Sequence, residues 1–140
     1  MEIRKFVIYG DPVAKGRPRF SNHGGYIRTY TPQKTVAYEN LVKLSYQQQI
    51  GNVDLIHGGI KAEIKAYFPI PKSISKKQRE IMLKENVYVL KKCDCDNIAK
   101  IILDSLNKIA YDDDKQVAEL EVKKFYSSNP RVEVELKGVE

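Results

Sequence analysis

Apolar and polar residues follow two different periods along this chain, and the change of period divides it into strands and helices. Ile3 to Tyr9 is rich in β-branched and aromatic side chains and predicts a first strand, closed by Gly10-Asp11-Pro12. Asn22-His23-Gly24-Gly25 predicts the tip of a hairpin returning through Tyr26-Ile27-Arg28-Thr29-Tyr30. Thr31-Pro32 has the form of a helix N-cap followed by proline at the first helical position. That helix is predicted to run to about Ile50, with Val36, Tyr38, Leu41, Val42, Leu44 and Ser45 as its inner stripe and Gly51 as its stop. From Ile60 to Phe68, Ile60, Ala62, Ile64 and Ala66 alternate with Lys61, Glu63 and Lys65, the signature of a half-buried strand. Pro69 and Pro71 end it, and Ser75-Lys76-Lys77-Gln78 has capping-box form and opens a short charged helix to about Glu85. Ile98, Ile101, Ile102, Ser105, Leu106 and Ile109 recur at helical spacing, with Asp96 placed as N-cap. Gln116 to Tyr126 and Arg131 to Leu136 predict two last strands joined as a closing hairpin through Ser127-Ser128-Asn129-Pro130. This order predicts an α+β fold, a mixed or antiparallel sheet with packed helices, in one domain over residues 1–140.

Charge changes the picture. The chain carries 24 Lys and Arg against 18 Asp and Glu, a net +6, and a pI near 9.2. Such basicity favours a nucleic-acid or anionic-surface partner. The acids are unevenly spread: Asp94, Asp96, Asp104, Asp112, Asp113 and Asp114 lie within 21 residues, leaving twelve other acids against the 24 Lys and Arg of the whole chain. No apolar run approaches membrane-spanning length and the N-terminus lacks a signal-peptide core, so an intracellular, cytoplasmic protein with no membrane partner is expected. Cys93 and Cys95, one residue apart, are poorly placed to bridge each other and read as reduced thiols. His23 and His57 are isolated, which argues against structural zinc.

The acidic stretch suggests chemistry. Asp94 and Asp96 lie two residues apart in extended chain and face one side, with Lys100 and Asp104 following at four-residue intervals on one helical face. Two carboxylates at a helix start, an amine one turn above and an aspartate run fifteen residues later carry a repulsion that a bound cation relieves. Oxygen donors alone suit Mg²⁺ or Mn²⁺. Such an ion activates water and stabilises a leaving oxygen, as a nuclease requires. The alternative is plain: Asp96 as a simple cap, Lys100 as its solvated partner and the aspartate triplet as a surface turn.

Three motifs sharpen the reading: Asp94-Cys95-Asp96-Asn97-Ile98-Ala99-Lys100, then Leu103-Asp104-Ser105-Leu106-Asn107, then Tyr111-Asp112-Asp113-Asp114-Lys115-Gln116-Val117. Their order resembles the Asp-x-Asp-Asn-x-x-Lys, Asp-x-Leu and Asp-Asp-x-Gln-Val pattern of the RusA family of crossover junction endodeoxyribonucleases. Lys15-Gly16-Arg17-Pro18-Arg19-Phe20 and Thr31-Pro32 through Tyr38-Glu39 extend the similarity. The resemblance implies a homodimer that binds four-way DNA junctions and resolves them by symmetric paired nicks, using Mg²⁺ with Mn²⁺ as a substitute. By that resemblance Asp94, Asp96 and Asp114 are metal-binding and catalytic, Lys100 is the catalytic lysine, and Asp113 matches the first member of the aspartate pair. Asp112 is an extra residue in that register. Asn97 and Asp104 match the pattern as supporting residues at the helix. Many members carry proline where Cys93 stands and an aliphatic residue where Cys95 stands.

For DNA contact the candidates are Lys15, Arg17 and Arg19, alternating around Gly16 and Pro18, together with Lys91 and Lys92 immediately before the acidic pair. Phe20, Tyr26 and Tyr30 are suited either to stacking on bases or to a core. Two other functions stay open on the sequence: a non-catalytic branched-DNA binding protein, and a nuclease for flaps or forks.

Overall fold

The computed structural model describes residues 2–91 and 93–139. Three strands precede the first long helix: β1 (Ile3–Tyr9), β2 (Arg19–His23) and β3 (Tyr26–Tyr30), then α1 (Gln33–Ile50). There follow β4 (Gly59–Pro69), α2 (Lys76–Met82), α3 (Cys95–Ser105), a short 3₁₀ turn (Asp114–Gln116), β5 (Val117–Ser127) and β6 (Arg131–Val139).

Four strands form one sheet in the order β1-β6-β4-β5. β6 runs antiparallel to both β1 and β4, while β4 and β5 are parallel, so the sheet is mixed. The closing hairpin is therefore corrected: β5 and β6 follow one another closely but β4 lies between them. Tyr67 of β4 is opposite Phe125 on one side and Arg131 on the other. The guanidinium of Arg131, 4.0 Å from the Tyr67 ring centre, pins this crossing, and its further bonds reach the Asn129 carbonyl, Glu133 and Glu85. A pairing between separate strands leaves no mark on the alternation of a single strand, which explains why pattern alone suggests the simpler hairpin.

Alternation along each strand sends one set of side chains to the core. Phe6, Ile8, Ile60, Ala62, Ile64, Ala66, Val132, Val134 and Leu136 are buried on the sheet face that α1 and α3 cover. On the other face stand charges such as Lys5, Lys65, Glu63, Glu121, Glu133 and Glu135, with contacts such as Lys5–Glu135 and Lys123–Glu121. Arg4 is buried in the same inward row as Phe6 and Ile8. Its charge is satisfied by Glu2, by Tyr46 Oη at 2.6 Å and by the Asp54 carbonyl at 2.6 Å.

α1 begins one residue later than its sequence suggests: Pro32 takes the N-cap position, and its carbonyl accepts from Thr35 and Val36. Its inner face is Thr35, Tyr38, Val42, Ser45 and Tyr46, whereas Val36, Leu41 and Leu44 face outward. The stripe is rotated because Tyr46 and Thr35 pack inward: Tyr46 bonds Arg4 and stacks edge-on with Phe6 at 5.3 Å. α2 has its expected cap, Ser75 Oγ accepting from Gln78 N at 3.2 Å, and buries none of its residues.

α3 keeps the apolar stripe foreseen for it through Leu106, with Ile98, Ile101, Ile102, Ser105 and Leu106 all buried. Each such aliphatic side chain contributes about 1.5–3 kcal/mol of gross burial energy. The helix is shorter at its C-terminal end, stopping at Ser105. Lys108 adopts φ 67° and turns the chain back, so that Tyr111 is fully buried and donates its hydroxyl to the Leu103 carbonyl at 2.6 Å. Among the described residues no helix is long and apolar enough to cross a membrane.

β2 and β3 pair only with each other. Gly24 (φ 57°) and Gly25 (φ 90°) are the two loop residues between the paired His23 and Tyr26, the backbone that a tight two-residue hairpin requires. This hairpin stands away from the core, with every residue of β3 exposed.

Candidate active site

The acidic residues are arranged along α3 and across its C-terminal end. Asp94 is the N-cap by backbone position, with φ −71° and ψ 145°, but its side chain makes no capping hydrogen bond. Asp96, expected to cap, instead sits in the first turn. Both carboxylates are exposed. The one-residue shift arises because the chain stays extended only through Asp94 and becomes helical at Cys95. Lys100 is exposed one turn further on, with its Nζ 3.9 Å from Asp104.

Asp104 is where three segments meet. Besides Lys100 it faces Lys15 Nζ at 3.5 Å, and it adjoins Asp114. The Asp114 carboxyl is held above the usual carboxylate range, first by burial and then by Asp104 and Asp113. Asp113 moves the other way, because its carboxylate accepts the Lys115 backbone N–H at 2.9 Å. The Asp113 carboxylate also shares a capping box with Gln116, whose Oε1 accepts from Asp112 N at 3.0 Å and Asp113 N at 3.1 Å. Gln116 also donates to the carbonyls of Ile56 and Gly58, each at 3.0 Å. Asn107 Oδ1 receives the Asp114 N–H at 2.8 Å. The Asp-Asp-x-Gln motif thus shapes the turn that carries Asp114 toward α3.

Carboxylate oxygens are the only anionic donors of this arrangement, a donor chemistry suited to Mg²⁺ or Mn²⁺. A cation there would offset the mutual repulsion of Asp104, Asp113 and Asp114. Among the described residues no three acidic, His or Cys side chains converge closely enough to hold an ion as they stand. Asp96 and Asp104 are two helical turns apart, about 12 Å along the axis. The structure brings Asp104, Asp113 and Asp114 together; it does not gather Asp94 and Asp96 into one ligating cluster with them.

The basic loop is fastened to this helix. Lys15 N donates to the Asn97 carbonyl at 3.0 Å and Gly16 N to Thr35 Oγ1 at 3.1 Å. The Lys15 ammonium lies 2.9 Å from Glu39 as well as near Asp104; burial works against its charge, and the two acids more than compensate, raising its pKa. Lys15 therefore points into the protein, while Arg17 and Arg19 are exposed. With Gly16, Pro32, Lys34, Thr35 and Cys93 they line an open cleft of about 450 Å³ leading to the residue before Asp94.

Lys91 is exposed, and Lys92 lies outside the described residues. Lys91 and Cys93 are held from β5, where Lys124 Nζ donates to their carbonyls at 2.9 Å and 2.8 Å. Cys93 and Cys95 are both free thiols. Glu39, Thr35, Asn107 and Lys124 are site residues that the sequence reading did not single out for these roles. Glu39 lies inside a stretch already noted for its resemblance, but its pairing with Lys15, 24 residues away, has no sequence signal.

Comparison with known proteins places the chain in a family. An uncharacterized protein of Bacillus subtilis (strain 168), YqaN, is 40% identical over 141 residues, covering 99% of both chains. The family model described as endodeoxyribonuclease RusA matches residues 9–137, which include the basic loop, α1, β4, α3, the aspartate turn, β5 and most of β6, but only the last residue of β1. The chain belongs to the RusA endodeoxyribonuclease family.

Proposed function

We propose that this protein is a Mg²⁺-dependent, structure-selective endodeoxyribonuclease that resolves Holliday junctions by paired symmetric nicks, acting as a homodimer. The observation that carries most weight is the direct joining of two opposite chemistries. A loop bearing Arg17 and Arg19 is hydrogen-bonded through Lys15 N to Asn97, inside the Asp94–Lys100 motif. A phosphate backbone lying in the cleft beside Arg17, Arg19 and Lys34 is led past Cys93 to Asp94 and Asp96. Family membership supports the same class of reaction.

In this reading Asp94, Asp96 and Asp114 supply the carboxylates for the divalent cation, with Asp113 beside Asp114, and binding requires the start of α3 and the aspartate turn to draw together. When bound, that cation activates a water and offsets charge on the leaving oxygen. Lys100, exposed and only loosely paired with Asp104, meets the scissile phosphate or the departing oxygen. Asp104 sets the position of Lys100 and Asp114 without contacting DNA. Arg17, Arg19, Lys91 and Lys92 neutralise flanking phosphates.

The test is incubation of the protein with a labelled four-way junction in Mg²⁺ and in EDTA, beside linear duplex and flap controls. Paired nicks on the junction that vanish in EDTA are expected. Junction binding without cutting in either Mg²⁺ or Mn²⁺ would reduce the protein to a branched-DNA binder, and preferential flap cutting would change the substrate while keeping the chemistry.

A further inference from the structure

The β2–β3 hairpin takes no part in the core, and its two faces differ. From the strand register, Phe20 and Thr29 are opposed, as are Asn22 and Ile27, so these four residues share one face. Arg19, Tyr30, Ser21, Arg28 and Tyr26 share the other. Phe20 is 72% exposed, Ile27 73% and Tyr26 75%, against the common expectation that such side chains are core. From Pro12 to Tyr38 the chain carries Lys15, Arg17, Arg19, Arg28 and Lys34 and no acid at all. An isolated two-stranded hairpin is marginal in water, so its exposed apolar face gains from a surface to pack against.

We infer that the hairpin is a branch-point probe for DNA: Phe20 and Ile27 pack against bases released from stacking where duplex arms diverge, while Arg19 and Arg28 hold the flanking backbone. This rests on the proposed junction substrate and names the element that distinguishes it from plain duplex. Charge selects the partner, because an acid-free cationic segment suits a polyanion. The apolar pair selects the structure, because linear duplex offers stacked bases only, whereas a branch point offers bases that an apolar wedge reaches at lower cost. The hairpin's position also fits, since Arg19 opens β2 and lines the cleft leading to Cys93 and Asp94.

The experiment measures binding in EDTA to a four-way junction and to linear duplex, each with 2-aminopurine at the branch position or its equivalent. Wild-type protein is expected to prefer the junction and to raise its fluorescence. Phe20→Ser/Ile27→Ser should lose about five- to hundredfold in junction affinity and most of the fluorescence rise. Its duplex affinity and melting temperature should stay unchanged, since neither residue belongs to the core. Arg19→Ala/Arg28→Ala should weaken both substrates alike. A double-serine variant that keeps junction preference and fluorescence overturns the probe and leaves the nuclease reading intact. Loss of a wild-type dimer in sedimentation, with the fluorescence rise retained, also overturns it and assigns the apolar face to a second copy. A wild-type protein with no junction preference removes both readings.

Discussion

Replacing Lys15 by methionine keeps the aliphatic stem and removes the charge that joins the basic loop to α1 and α3. Side chains of Lys15, Glu39 and Asp104 are 22%, 18% and 25% exposed, between a surface pair and a buried one. Exposed pairs are worth about 0–1 kcal/mol and breaking a buried pair costs about 3–5 kcal/mol, which places this substitution near ~2 kcal/mol. Asp104 keeps Lys100 at 3.9 Å, so most of the loss falls on Glu39. With an unfolding entropy of about 2.1 cal/mol/K per residue, a chain of this length loses about 7 °C in Tm. The functional consequence is separable. A lysine that contacts a phosphate would, when removed, lower the salt dependence of DNA binding by about one ion and leave Tm alone. A lysine that tethers the loop should lower Tm and leave the salt slope unchanged, with turnover falling because Arg17 and Arg19 lose their fixed relation to Asp94. Thermal melts and junction binding across a salt series decide the matter. An unchanged Tm with a slope reduced by one would refute the tether and return Lys15 to the DNA surface.

Asp114→Asn should act with opposite signs in chelator and in metal. The folded chain holds the Asp114 carboxyl above its unfolded value near 3.8, so stability is fully present below that value and falls as pH rises through the folded one. In EDTA at neutral pH the variant should therefore melt higher than wild type, the advantage disappearing as pH falls through the carboxylate range. In Mg²⁺ only the wild type should gain stability; an identical Mg²⁺ response in both would remove Asp114 from the ligand set. Gly16→Ala places a Cβ 2.7 Å from Thr35 Oγ1 and 3.1 Å from Pro32 Cγ, so it should displace the loop and weaken junction binding measurably in an anisotropy titration. Tyr111→Phe removes the buried bond to Leu103 and should cost about 0.5–1.5 kcal/mol, read as a drop of roughly 2–5 °C in Tm.

Elements with strong local periods were legible in the chain. The alternation of Ile60, Ala62, Ile64 and Ala66 and the helical spacing from Ile98 to Leu106 both correspond to buried faces. Gly24-Gly25 marked the hairpin because both glycines take positive φ. Long-range arrangement was not legible: nothing local says that β4 enters between β5 and β6, or that Tyr46 and Thr35 rotate α1 so that Val36, Leu41 and Leu44 face outward. The helix end was overestimated because Leu106 and Ile109 continue the apolar spacing, while the left-handed turn at Lys108 depends on Tyr111 packing beneath Leu103. The site followed the same division. Motif spacing placed Asp96, Lys100 and Asp104 along one helix with Asp94 in extended chain just before it, but the convergence of Lys15, Glu39, Asp104 and Asp114 comes from tertiary packing.

These arrangements assign separate jobs to neighbouring acids. Asp113 and Gln116 build a turn, Asp104 gathers Lys15, Lys100 and Asp114, and the side chains of Asp94 and Asp96, at the exposed start of α3, form no cap or ion pair among the described residues. Only the last pair has no structural task among the described residues, which makes it the most direct target.

The decisive measurement is therefore Asp96→Asn against wild type on a four-way junction in Mg²⁺, with strand-resolved products and junction affinity read from the same preparations. Loss of the paired nicks with near wild-type junction binding and Tm is the predicted result. Cutting at the wild-type rate would contradict the assignment of the α3 carboxylates as the catalytic centre.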